Sequence, residues 1–136
     1  MSVRIDVDYE GDLRCSLVHA PSGQRIATDA PVDNHGKGST FSPTDLVASA
    51  LGACMTTIMG IVAHDKGIRF ERARVTVDKE MTPAPPRRIA RLVVRATLSV
   101  RHDARERAIL EQAARECPVA RSLHPDTKVE LQFHYE

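Results

Sequence analysis

Tryptophan is absent from the 136-residue chain, and only two Tyr and three Phe supply aromatic rings. Few platforms are available for stacking unpaired bases, which argues against single-stranded nucleic acid as a ligand. Charge of one sign is also scarce, since 19 Lys and Arg against 18 Asp and Glu leave a net charge of +1. So weak a field does not draw in polyphosphate or an anionic membrane. Cysteines number three, an odd count at wide spacing that does not read as a secreted disulfide framework. Free thiols in a reducing compartment are expected, and any disulfide would be transient. The N-terminus alternates apolar and charged residues from Val3 to Asp8 and lacks the apolar core of a signal peptide. No other segment is expected to supply the roughly 18 to 20 apolar residues of a membrane span. These absences place the protein in the cytoplasm, with neither nucleic acid nor membrane among its expected partners.

What is present fits one globular domain over residues 1–136, with 42% hydrophobic and 27% charged residues. Val3, Ile5, Val7 and Tyr9 alternate with charged residues, and Leu13, Cys15 and Leu17 repeat the pattern after a Gly11-Asp12 turn. With a third run from Gln24 to Thr28, the N-terminal part reads as a β-meander with one buried face. Asp29 to Thr40 is poor in apolar residues and rich in turn formers, so it reads as an exposed loop. Ser42-Pro43-Thr44-Asp45 then joins a capping-box pattern to Pro at the first helical position. Leu46, Val47, Ala50, Leu51, Cys54, Ile58, Ile61 and Val62 recur at helical steps up to Gly67, predicting a helix over residues 43–66. Its middle, Ala48 to Cys54, is so rich in small residues that a sheet or a second subunit is expected to cover it. Strands are expected around Val75 to Val77 and Leu92 to Val100, joined through the proline-rich tip Thr82 to Pro86. A slip in phase near Glu71 suggests a bulge or break. Asp103 and Glu106 open a helix ending near Glu116, Cys117-Pro118 opens another short turn, and Lys128 to Tyr135 alternates as a final strand. The fold class is α+β.

Cys54 lies on the apolar stripe of the long helix, where a cysteine commonly acts as a small hydrophobe. Cys117 is expected at an N-cap, facing unpaired backbone N–H groups and the positive end of a helix dipole, both of which favour thiolate. Cys15 sits between Leu13 and Leu17 and reads as packing. The six His and the cysteines show no ligand-like spacing, so no metal is expected. Gly36-Lys37-Gly38 is too short for a phosphate cradle and reads as a flexible connector.

The order Phe41-Ser42-Pro43-Thr44-Asp45-Leu46, Leu51-Gly52-Ala53-Cys54-Met55, and 63 residues later Cys117-Pro118-Val119, resembles the OsmC/Ohr family of thiol-dependent hydroperoxide reductases. The resemblance covers essentially the whole chain. It implies an OsmC-like α+β fold, with antiparallel sheets around a long central helix, in an intimate homodimer whose sites lie at the subunit interface. It further implies that Cys54 attacks a hydroperoxide substrate and becomes a sulfenic acid, that Cys117 resolves it as a disulfide, and that an external dithiol reductant restores both thiols. No metal, flavin, haem or other cofactor is needed. An Arg is expected to stabilise the thiolate, with Arg14 the candidate, and a Glu near the start of the long helix to orient it. Here the chain departs from the family, because Thr44 occupies that position and Asp45 belongs to the helix cap. A peroxidase in oxidative-stress defence is thus the expected function. A non-enzymatic dimer that binds a small apolar ligand between inherited cysteines is the alternative, and an RNA-binding β-α domain fits the elements but not the charge.

Overall fold

The computed structural model describes residues 1–136. The chain divides into two compact units, Met1–Val47 and Ala48–Glu136.

In the first unit β1 (Ile5–Gly11), β2 (Arg14–His19) and β3 (Arg25–Asp29) pair antiparallel in chain order, the expected meander. Leu13 falls in the β1–β2 turn, outside the strand expected to contain it. It and Asp12 both take positive φ, at 64° and 53°, the twist that suits a two-residue hairpin loop. Register sets Val7 opposite Leu17 and Leu17 opposite Ile26, with Tyr9 opposite Cys15, so one face of the sheet is apolar. That face was expected to be buried. Instead Ile5, Val7 and Tyr9 are 54%, 59% and 66% exposed in the single chain. Period-two alternation identifies an apolar face, and says nothing of whether the same chain covers it.

The segment after β3 is not the slack connector expected. Gly38 N–H donates to the Ala30 carbonyl and Gly36 N–H to that of Pro31, around a 3₁₀ turn at Val32–Asn34. A Cβ on Gly36 would fall 1.7 Å from the Ala30 carbonyl oxygen, so only glycine fits there. Asp29, expected to begin the exposed loop, ends β3 and is buried. The loop delivers the chain to α1 (Pro43–Lys66), whose ends match the expected bounds. Ser42 Oγ accepts from the Asp45 N–H at 3.1 Å while Asp45 Oδ2 accepts from the Ser42 N–H at 2.9 Å, a reciprocal cap with Pro43 in the first turn.

From Ala48 onward α1 belongs to the second unit. It closes at Gly67, φ 66°, with Ile68 N–H bonded to the Ala63 carbonyl and Gly67 N–H to that of His64. This is a Schellman ending, which satisfies carbonyls that the helix itself leaves free. β4 (Ala73–Met81) and β5 (Ile89–Leu98) form the expected hairpin, and β6 (Lys128–Tyr135) pairs with β5 in parallel. The second sheet is therefore mixed, where antiparallel pairing was expected. A parallel return needs a crossover, and α2 (Ala104–Arg115) and α3 (Pro118–Ser122) provide it. Asp103 and Glu106 cap α2 reciprocally, as expected. The phase slip near Glu71 corresponds to an irregular stretch before β4, in which Ile68 is buried and Phe70 half-buried.

The core of this unit joins α1 to the sheet and the crossover helices. The buried side of α1 is Ala48, Leu51, Gly52, Met55, Met59 and Ala63, with Cys54 and Ile58 half-buried beside it. Ala50 and Ile61, expected on the buried stripe, are exposed. The helix is apolar nearly all round, so periodicity could not choose its inner face. By length and composition alone it would also qualify as a membrane span, which corrects the expectation that no such segment exists. In the second unit its inner face lies on protein. A Cβ on Gly52 would stand 2.9 Å from Val77 Cγ2, showing how closely helix and strand approach. Gly52→Val should therefore cost about 1–3 kcal/mol of stability, as overpacking of a close contact does. Denaturant unfolding checks this, and an unchanged midpoint would contradict the packing described.

Candidate thiol site

The second unit brings Cys54 and Cys117 together. Cys54 is carried on α1 with its sulfur half-exposed, while Cys117 is the N-cap of α3 and is 0% exposed. Pro118 at the first position of α3 explains this local form, since its missing N–H costs nothing there and its fixed φ starts the turn. The cap leaves Cys117 Sγ accepting from the Ala120 N–H at 3.4 Å. The same sulfur shares a hydrogen bond with the Cys54 side chain. All three cysteines are free thiols.

The helix-start environment was expected to favour a Cys117 thiolate. Burial decides otherwise and pushes the Cys117 thiol above its ordinary value near 9.0, although the N–H of Ala120 pulls the other way. The hydrogen bond to Cys54 adds to the upward push. An ion is costly without water, and one weak N–H···S bond on a five-residue helix does not offset that cost. The shared proton therefore rests on Cys117, which directs it to the Cys54 sulfur.

The apolar surroundings come from Met55, Ala114, Val119, Ala120 and Leu123, all in or against the core cluster. A cleft lined by Met55, Arg115, Ala120, Val129 and Leu131 opens beside the same helices. Arg115 lies 5.8 Å from the Phe133 ring centroid and 3.9 Å from Glu111.

Arg14 is on β2 in the first unit, exposed, opposite Asp29 on β3. Thr44 is half-buried in the first turn of α1, with Oγ1 3.2 Å from Ser42 Oγ. It is uncharged, and Asp45 beside it is held by the helix cap. Cys15 is half-buried on the apolar face of the first sheet, paired with Tyr9 and Thr28. Sequence reasoning missed Asp29 because the following Pro31, Asn34 and glycines placed it in a loop. Its carboxylate accepts from the Ser39 N–H at 3.0 Å and the Ser39 hydroxyl at 2.6 Å. The only available signal was Thr28-Asp29 prolonging the β3 run.

The raised Cys117 value makes stability depend on pH in a definite direction. The folded chain holds this proton more tightly than the unfolded chain. The stabilising contribution is complete below the unfolded value near 9.0 and fades as pH rises through the higher folded value. Unfolding midpoints of the wild type should fall faster above pH 9 than those of Cys117→Ala; equal slopes would show that the thiol is not held protonated by burial. At pH 8, limiting iodoacetamide should label Cys54 before Cys117, which peptide mapping reads directly.

The chain matches the model of the OsmC-like protein family over residues 36–132. It is 44% identical, with a TM-score of 0.90, to a Psychrobacter arcticus protein described as osmotic stress induced and of the detoxification response, covering 96% of this chain and 94% of that one. An organic hydroperoxide resistance protein OsmC from Legionella pneumophila shares the fold at a TM-score of 0.80 and 16% identity, over 98% and 97% of the two chains. A Vibrio cholerae protein described as conferring organic hydroperoxide resistance, with captopril bound in one of its active sites, does so at 0.78 and 16%, over 98% and 91%. No curated protein sequence matches the chain. On the match of residues 36–132 and the shared fold, the chain belongs to the OsmC-like family of OsmC/Ohr proteins.

Proposed function

We propose that the protein is a cytoplasmic, thiol-dependent hydroperoxide reductase that uses Cys54 and Cys117 as a redox pair in defence against oxidative stress. Family membership and the hydroperoxide-resistance descriptions of its structural neighbours support a stress-related redox role. The observation that carries the finer reading is the hydrogen bond between the two sulfurs, with the proton kept on Cys117.

In this reading the Cys54 thiolate attacks the outer oxygen of a hydroperoxide. An S–O bond forms, the O–O bond breaks, and the departing alkoxide takes a proton and leaves as the alcohol. Cys117, already beside the sulfenic acid, attacks the Cys54 sulfur; the S–S bond forms and water leaves. An external dithiol then exchanges with the disulfide, supplying two electrons and two protons. Arg14 is proposed as the cation that stabilises the thiolate and polarises the peroxide.

A homodimer is part of the proposal. The single chain exposes Ile5, Val7, Tyr9 and Ile26 on one sheet face and Ala50, Ala53 and Ile61 along α1. Apolar surface of this extent is characteristic of an interface. Sedimentation should give the mass of two chains, and Val7→Glu should shift it toward one; a monomeric wild type would remove the dimer from the proposal.

One equivalent of cumene hydroperoxide should consume two thiols per chain and yield a peptide linking Cys54 to Cys117. Cys54→Ser should abolish the reaction, and Cys117→Ser should leave a sulfenic acid that dimedone traps. Both thiols surviving in the wild type would overturn the functional reading.

A further inference from the structure

Asp29 is the most enclosed carboxylate of the first unit, at 2% exposure, at the end of β3. One of its oxygens, Oδ2, takes both Ser39 hydrogen bonds. Its own N–H donates to the Phe41 carbonyl at 3.0 Å, next to the Ser42 cap of α1. The residue is thus fixed on both sides, by its strand and by the loop that it closes. Directly across the ladder stands Arg14. With strict alternation on β2 and β3, the two side chains share the face opposite the apolar one, where Ser16 and Ala27 are their neighbours. The Arg14 charge acts on the carboxylate and, with the Ser39 bonds, holds it below the usual carboxylate range.

A buried anion needs donors or an opposite charge to persist. Ser39 supplies donors, and Arg14 is the charge in cross-strand position. The arrangement is asymmetric. Asp29 is locked while Arg14 is exposed at the end of a flexible stem, so the carboxylate can set where the guanidinium rests, and the reverse is excluded.

We infer that Asp29 is the positioning residue for Arg14, its Ser39-locked carboxylate directing the guanidinium from the neighbouring strand. The inference rests on the role proposed above for Arg14 in the thiol chemistry, and it assigns to β3 the carboxylate that the start of α1 lacks at Thr44. Asp29 touches no reacting atom and acts only through Arg14.

The test is a double-mutant cycle on the full-length protein. Rates of Cys54–Cys117 disulfide formation by cumene hydroperoxide are measured for the wild type, Asp29→Asn, Arg14→Gln and the double variant, each from pH 5 to 9. Asn keeps an acceptor for Ser39 and removes the charge. Asp29→Asn should slow the reaction by about tenfold, and the double variant should be no slower than Arg14→Gln alone. Asp29→Glu should recover part of the rate. Ser39→Ala, which loosens the loop but keeps the charge, should lower the melting temperature more than the rate. Wild-type rates in Asp29→Asn, multiplicative losses in the double variant, or an equal slowing by Ser39→Ala would each overturn the assignment while leaving the thiol chemistry standing. A wild type that forms no disulfide would overturn the functional reading, and this assignment with it.

Discussion

The structure depends most on the burial of one sulfur. Cys117 is enclosed by a core that joins α1, the mixed sheet and the crossover helices, and this enclosure keeps its proton in place. The same packing fixes its distance to Cys54, although the two lie 63 residues apart in the chain. A thiol pair of this kind divides labour through environment. The half-exposed sulfur on the helix can meet a solute, and the enclosed one can meet only its partner. Water is excluded from the second partner alone, so oxidation has a defined first site and a defined second.

The two units bring different physics to this arrangement. In the second, small residues on α1 allow Val75 and Val77 to approach Gly52 closely, and the parallel return of β6 forces a crossover whose last corner carries Cys117. Replacing the parallel return by a hairpin would remove α2 and α3 and with them the position of the resolving thiol. In the first unit, the loop after β3 is held by Asp29 and by glycines that no other residue can replace, and it ends on the helix cap at Ser42. Local order there is set by hydrogen bonds to backbone, since few apolar residues are available to bury.

Sequence alone was most informative where local chemistry is complete in itself. The Ser42/Asp45 cap, Pro43 and Gly67 fix the ends of α1 because each acts within one helical turn. The Cys117-Pro118 N-cap was legible for the same reason. Three features were not. The inner face of α1 has no polar stripe to contrast with, the exposed side of β1 depends on what lies beyond the chain, and the parallel β5–β6 ladder is a tertiary choice that both strands' alternation leaves open. For the site, residue types pointed to both thiols, but the Cys117 charge state could not be read. Its N-cap position argues for thiolate and its burial against, and only the fold shows that burial prevails.

The position of the proton has a consequence for the order of events. If Cys117 were the thiolate, its enclosed sulfur would be the better nucleophile and the worse placed one, and a hydroperoxide would have to enter the core to reach it. With the proton on Cys117, its S–H points to the Cys54 sulfur, and a negative charge on Cys54 is stabilised by that bond. Once Cys54 is oxidised the charge is gone and the bond loses its purpose. The Cys117 proton is then free to leave, and its sulfur is already on the line of attack. The group that holds Cys117 back, the Ala120 N–H, is a weak donor on a helix of five residues. Small displacements of so short an element cost little relative to the core. The hydrogen bond therefore serves both steps in turn, first by favouring charge on Cys54 and then by having kept the second sulfur within reach.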